Sequence, residues 1–590
     1  MKTEPLPLLI PKFAQREEKI AFKYKDEVDW KSISWSLYQK DIYKFAIFLL
    51  EKKIGKNKKV ALISNTRYEW CVIDFAIMSV HGISIPIYQN STPEEMKTIL
   101  NHSEAELLIL ENSTSLKAWS RIKHSCPHIK NVVMIEQVPP ADKEINSIEK
   151  ILSTPLTSDE CKKIEKLISE VKINDLATIV YTSGTTGAPK GVMLTHEQIV
   201  SEVTEAFATC GISSDDLSLT FLPFAHVLGR IESWAHCYFG HTIAFAESID
   251  KIKSNLVEIN PTLIFAVPRI FEKVYTFVVS SLENNKYKAK AFHWALHVGK
   301  KVCKAYRENQ RISAKDLLAY EVAKKLILKK VKLAFGNRLR FCVSGGAAIN
   351  RTISEFFEVC GVLILEGYGL TETTAAICVN TPYNYKFGSV GLPIGDVQLK
   401  IAEDGEILVK SKKVMVGYYN NPEATQEALE NGWFKTGDIG EILPGGDLKI
   451  TDRKKDLIKT ANGKYVAPQK LEGILKLNPF IGHALIHGDQ KKYIIALISL
   501  EKEKVIAWCK ENQIETSDWK SVIHHQLLVE NIRKTIVNIN AELASHESIK
   551  KYLIIEDEFT VENGSLTPSL KVKRKVLDAK YKQLIDSLYD

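Results

Sequence analysis

Three observations predict an α/β protein whose parallel sheets carry most of the chain, followed by a small antiparallel unit and a mixed α+β C-terminal region. Apolar runs of strand length alternate with runs of helix length over the first 110 residues, a second such series follows, and short strands with turns take over after about Gly388. With 590 residues, 45% hydrophobic and 25% charged, the chain has room for about four structural units of roughly 150 residues and a large buried core. That composition excludes disordered, collagen-like and disulfide-scaffold classes.

The first series reads KKVALIS as a strand, residues 68–80 as a helix, SIPIY as a strand and AELLIL as another. Between the last two, Thr92-Pro93-Glu94-Glu95 opens a helix with a capping box and proline at its first position. The second series is expected to start at ATIVYT (177–182) and to run through LRFCVS (339–344) and VLILE (362–366). Beyond Gly388, QLKIA, the Asp404-Gly405 turn, EILVK and the PGGD turn before LKI are hairpin chemistry. The charged DRKKD (452–456) marks the main boundary, and KYIIALISLE is a strand beyond it. The expected division is therefore 1–452, made of α/β units at about 1–175 and 176–387 and a small β unit at 388–452, and then 453–590.

Ten cysteines stand singly, with no C-x-x-C pair and no metal-knuckle spacing, as expected of reduced, mostly buried thiols in a cytoplasmic protein. The N-terminal PLPLLIP holds three prolines and cannot form the apolar core of a signal peptide. The longest apolar run, 70–88, contains Asp74, His81, Gly82 and Pro86, so no bilayer-spanning segment is expected. The net charge of +8 is unevenly placed: residues 286–340 hold 16 Lys/Arg against three acids, a local +13. One surface is expected to meet anions, and AFHWALHVGKKV to form a helix with aromatic and basic faces. A solvated lysine-rich helix pair reads equally well there.

The strongest local signal is YTSGTTGAPKG (181–191), placed directly after a strand. Its glycines and hydroxyls make a loop rich in N–H and O–H donors, suited to phosphate oxygens, although a plain Gly/Ser surface loop has the same composition. It is not a Walker A loop, because Pro189 and Gly191 occupy positions where that motif needs Gly and Ser/Thr.

This loop resembles the phosphate loop of the adenylate-forming superfamily of acyl-CoA synthetases, luciferases and peptide-synthetase adenylation domains. FLPFAHVLGR (221–230), AVPRIFEKVY (266–275), SGGAAI (344–349), EGYGLTETT (366–374), GSVGLPI (388–394), GWFKTGDIG (432–440), DRKKDLIK (452–459) and TPSLK (567–571) follow in that family's order. FLPFAHVLGR, AVPRIFEKVY, EGYGLTETT and IKTANGKYVAP are most similar to the long-chain fatty acyl-CoA synthetase branch.

The resemblance implies a large AMP-binding domain and a small mobile C-terminal domain that swings about Lys455. It assigns Ser183, Gly184, Thr185, Thr186, Gly187 and Lys190 to the phosphates, and Thr182 with Glu372 to Mg²⁺, a hard cation suited to oxygen ligands. Gly345, Gly346 and Ala347 are implied to pack on adenine, Tyr368 to stack on it within a loop with Gly369 and Thr371, and Asp438 and Arg453 to hold the ribose. Lys455 and Lys459 complete the implied cofactor set. Lys571 is implied to bridge carboxylate and α-phosphate, and His226 to lie near the reacting carboxylate as a positioning residue. Taken alone, Thr371 and Glu372 are also helix caps, Asp438 a turn residue, His226 a structural histidine and Lys571 part of a solvated basic run.

The implied activity is ATP- and Mg²⁺-dependent conversion of a long-chain fatty acid to acyl-AMP, then transfer to the thiol of CoA. Alternatives are loading of a carrier-protein phosphopantetheine, a medium-chain or other carboxylic acid as substrate, or an acyl-binding protein without catalysis. The last would show a damaged loop or a missing lysine, and neither is present. No nucleic-acid partner is expected; peripheral contact with the inner face of an anionic membrane is, and a dimer is one option for the assembly. The loop at Ala461, Asn462 and Gly463 is a CoA candidate by resemblance alone.

Overall fold

The computed structural model describes residues 4–16, 19–140, 142, 144–182, 189–283, 286–561, 563–567 and 571–590. Strands Lys59–Ile63, Ile83–Ile87, Leu107–Leu110 and Asn131–Met134 form in the positions where apolar runs meet turns. They pair in parallel, with Lys59–Ile63 between Ile83–Ile87 and Leu107–Leu110. Helix Tyr68–Ser79 joins the first two, and helix Pro93–Ser103 starts on the expected Thr92 capping box.

One expectation is corrected here. Strand Leu176–Thr182 does not open the second sheet; it lies beside Ile83–Ile87 and closes the first, with Lys190–Thr195 folded back antiparallel to it. The first sheet then takes a strand from far along the chain, Gly417–Tyr418, on its edge. The second sheet has nine strands, and Ile20–Asp26 and Asp29–Ser34 form its far edge. A cut near residue 175 therefore crosses both sheets. The physical reason is that sheet membership follows from edge pairing between segments distant in sequence, which local alternation does not encode.

Strands Phe341–Ser344 and Ile364–Leu370 fall in the second sheet as expected. Residues 398–453 form a five-stranded antiparallel sheet in which Trp433–Ile442 is flanked by Glu406–Lys410, Leu429–Glu430 and Leu448–Arg453. Past it, the three strands Ile481–His487, Ile494–Leu500 and Ile549–Ile555 carry helices Pro468–Leu475 and Gln526–Glu542 around their own apolar core. All ten cysteines are unpaired, and nine are buried.

The two large sheets are tied together by a buried charge. Helix Val227–Phe239, from the FLPFAHVLGR segment, sends Arg230 into the interior, where it is 0% exposed. Its guanidinium forks onto Asp74 of helix Tyr68–Ser79 and donates to Thr178 Oγ1 (2.7 Å) and to Ser84. Trp234 Nε1 donates to Asp74 Oδ2 at 3.1 Å, and the Trp70 and Trp234 rings flank the cation. Removing one partner of such a pair strands a charge in low dielectric. Arg230→Met should lower unfolding free energy in a denaturant titration by about 3–5 kcal/mol, while Asp74→Asn/Arg230→Met recovers most of it. Equal destabilisation of the single and double variants would contradict this reading.

Candidate functional site

The site forms where the two large sheets, the five-stranded sheet and the C-terminal unit meet. Strand Ile364–Leu370 presents Tyr368, whose hydroxyl donates to Asp438 Oδ2 at 2.6 Å. Asp438 lies on strand Trp433–Ile442 directly opposite Arg453 in register, and Arg453 Nε reaches Asp438 Oδ1 at 2.8 Å. Burial pushes the Asp438 carboxyl above its ordinary value, and Arg453, the Tyr368 hydroxyl and Lys571 act against that push.

Lys571 reaches this cluster from the C-terminal unit. Its segment is closed by Thr567 N donating to Lys571 O (2.8 Å) and Lys571 N donating to Thr567 Oγ1 (3.1 Å). The residue is exposed to water, yet its amine is closely surrounded by protein. Desolvation and the neighbouring Arg453 cation lower its amine below the ordinary lysine value, while Asp438 and Glu372 pull it upward. Two further ion pairs cross the same boundary, Arg269 with Glu501 at 2.6 Å and Lys573 with Glu95 at 3.6 Å.

Glu372 stands in the 3-10 turn Thr371–Thr373 and accepts a hydrogen bond from the Tyr418 hydroxyl at 2.9 Å. The Tyr418 ring in turn carries Lys190 Nζ 4.8 Å from its centroid. Lys190 is opposite Thr182 in the hairpin register, with Thr182 Oγ1 donating to Lys190 O at 3.4 Å. Thr182, Lys190 and Glu372 are thus brought together, with Tyr418 as the link. Tyr418 was not singled out in the sequence; its only signal is a GYYNNP turn, and its partners lie 46 and 228 positions away.

The backbone after Glu372 is bent against its preference: Thr374 has φ +60° and Ala375 φ +101°. Left-handed non-glycine residues cost on the order of 1–3 kcal/mol each and persist where the surroundings hold them. Gly369 permits this bend, because a Cβ there would overlap the Ala375 carbonyl.

His226 caps helix Val227–Phe239, its Nδ1 accepting from Leu228 N at 3.1 Å, so both the structural reading and a place near the site apply. Burial, and then Lys571, lower it to about 4, which leaves it neutral near pH 7 with the proton on Nε2. Gly345, Gly346 and Ala347 lie at the exit of strand Phe341–Ser344, next to the strand that bears Tyr368. Lys455 and Lys459 are exposed and stay outside the cluster; Lys459 Nζ lies 5.7 Å from the Tyr465 ring centroid. Ser183, Gly184, Thr185, Thr186 and Gly187 lie outside the described residues.

The residues fit a nucleotide and a hard cation. A buried carboxylate backed by Arg453 suits ribose hydroxyls, and the exposed Gly346 and Ala347, at the exit of the strand beside the one that bears Tyr368, admit a flat base. Among the described residues no group of three or more His, Cys, Asp or Glu converges. Glu372 and Thr182 are the residues that would share such an ion with phosphate oxygens, the pattern magnesium favours.

The AMP-binding enzyme family matches residues 11–419, and the AMP-binding enzyme C-terminal domain matches residues 455–590. The chain belongs to the AMP-binding enzyme family. Among curated members, a long-chain-fatty-acid–CoA ligase, FadD15 of Mycobacterium bovis, is 33% identical over 95% of this chain and 93% of its own length. The peroxisomal long chain acyl-CoA synthetase 6 of Arabidopsis thaliana is 29% identical over 92% of this chain and 79% of its own. Two solved structures share the fold. The anthranilate CoA ligase AuaEII in complex with anthranoyl-AMP superposes with a TM-score of 0.74 at 17% identity, covering 99% of this chain and 100% of its own. The o-succinylbenzoate CoA synthetase of Bacillus subtilis with ATP and magnesium gives 0.66 at 20%, covering 96% and 98%.

We expect ATP affinity to depend on an ionised Asp438; because burial raises that carboxyl, the affinity should be lost on acidification sooner than an ordinary aspartate near 3.9 would lose it. Tyr368→Phe removes a donor that favours the ionised form. The acid limb of ATP binding should then move to higher pH; an unmoved limb would show that Asp438 does not govern it.

Proposed function

We propose that the chain activates a long-chain fatty acid as acyl-AMP with release of pyrophosphate and then passes the acyl group to the thiol of coenzyme A. The carrying observation is the meeting of Tyr368, Asp438 and Arg453 with Lys571 beside Glu372, in a chain 33% identical to a long-chain-fatty-acid–CoA ligase.

A fatty acid is already ionised near neutrality, its carboxyl pKa being about 4, so no general base is needed. The carboxylate oxygen bonds to the α-phosphorus as the bond to pyrophosphate breaks. What this demands is alignment and positive charge around the phosphorus. Lys571 faces the carboxylate and α-phosphate, Lys190 and the 183–187 loop take the phosphates, Arg453 and Asp438 fix the ribose, and Tyr368 stacks on the base. Glu372 and Thr182 would hold magnesium, which when bound would supply further positive charge. Neutral His226 positions the reacting carboxylate without taking a proton.

In the second step sulfur bonds to the acyl carbon and AMP leaves. Lys571 occupies the space beside the acyl-adenylate that the pantetheine arm needs, so the unit from 453 onward turns about Lys455 to clear it. Residues 1–452 stay as the large domain, and Lys455, Lys459 and the 461–463 loop face the site in the second orientation.

The unpaired cysteines support a reducing, cytoplasmic setting. No helix among the described residues is long and apolar enough to cross a membrane. Peripheral contact is supported by helix Lys286–Arg307, which buries Phe292, Ala295, Gly299 and Val302 and turns Tyr287, Lys290, Trp294, His297, Lys301 and Lys304 outward. Aromatic rings beside lysines are the pattern of a helix resting on anionic headgroups.

Lys571→Ala should abolish acyl-AMP formation from palmitate and ATP while leaving thioester formation from supplied palmitoyl-AMP and CoA largely intact. Equal loss of both would contradict the turning-domain reading, and a phosphopantetheine-only acceptor would replace CoA with a carrier. Sedimentation with phosphatidylglycerol vesicles should fall when salt is raised, and further in Tyr287→Ala/Trp294→Ala; binding that ignores lipid charge would remove the membrane contact.

A further inference from the structure

The strained backbone behind Glu372 has a support that none of the family motifs contains. Lys413 is fully buried, as is Glu202 of helix His196–Thr209, and their side chains meet at 3.1 Å; Glu205, one turn on, meets Lys413 at 3.0 Å. Glycine at 395 makes room for this, since a Cβ there would overlap the Glu205 carboxylate. Burial alone would lower the Lys413 amine; the two carboxylates outweigh it and hold it above the ordinary lysine value.

Lys413 and Glu202 also grip the bend. Glu202 Oε1 accepts from Ala376 N at 2.8 Å, Lys413 Nζ donates to Ala376 O at 3.5 Å, and Thr374 Oγ1 donates to Lys413 O at 2.7 Å. Thr374 and Ala375 are the two left-handed residues that follow Glu372. The segment that begins at Lys413 then returns to the site, with Met415 N donating to Glu372 O at 2.8 Å and the Tyr418 hydroxyl meeting the Glu372 carboxylate. A cluster whose Lys413 and Glu202 are fully buried, with Glu205 partly exposed at its edge, thus fixes both the backbone and the hydroxyl that aim Glu372.

We propose that Lys413, paired with Glu202 and Glu205, is a positioning residue for the cation site, holding Glu372 in the geometry that lets magnesium improve nucleotide binding. This rests on the assignment of Glu372 to the cation. Residues that orient a ligand from behind typically change metal affinity by about 10–100-fold when lost.

The test is calorimetric binding of α,β-methylene-ATP, which cannot release pyrophosphate, with and without Mg²⁺. In Lys413→Met the Mg²⁺-dependent gain in affinity should fall about tenfold while Mg²⁺-free affinity is unchanged. Lys413→Met/Glu202→Gln keeps the acceptor for Ala376 N and removes the stranded charge. It should regain thermal stability but not the gain, and it carries the test if the single variant does not fold. Glu372→Gln should lose the gain as well. A folded Lys413 variant with the full gain, beside a Glu372→Gln that loses it, would overturn the positioning role. A Glu372→Gln that keeps the gain would instead overturn the cation assignment, and the proposal with it.

Discussion

The arrangement depends on keeping one buried carboxylate charged. Asp438 is 3% exposed, and burial by itself favours its neutral form. Three groups oppose that, each brought by a different part of the chain: the Tyr368 hydroxyl from the second sheet, Arg453 from the neighbouring strand of the five-stranded sheet, and Lys571 from the C-terminal unit. Satisfying Asp438 therefore assembles the site.

The same charges give the closed arrangement a built-in tension. Lys571 and Arg453 repel each other across the carboxylate they share, and the lowered Lys571 amine records that cost together with desolvation. A polyphosphate bound beside them would supply the negative charge that both cations lack, so nucleotide and closure should favour each other. Once pyrophosphate has left, much of that charge is gone, and on the proposed mechanism that is the moment at which the C-terminal unit would move to admit a thiol.

Much of the fold was legible in the sequence, because strands such as Lys59–Ile63 and Ile494–Leu500 are apolar runs bounded by turn residues, and the helix at Pro93–Ser103 announces itself through its capping box. What escaped was pairing at a distance. Strand Leu176–Thr182 looks locally like the opening of a new series, yet it completes the first sheet, and the hairpin Ile20–Asp26/Asp29–Ser34 joins the second sheet across more than 200 residues. The site divides in the same way. Tyr368, Asp438 and Arg453 stand in motifs that single them out in the sequence, whereas Tyr418 and Lys413 meet partners with no local signature.

The central claim is that acid and ATP react here directly, before any thiol takes part. Exchange of labelled pyrophosphate into ATP, followed without CoA, tests it most directly. The account predicts exchange that requires both palmitate and Mg²⁺ and disappears when Lys571 is removed. Exchange independent of the fatty acid, or none from folded protein that binds ATP, would contradict it.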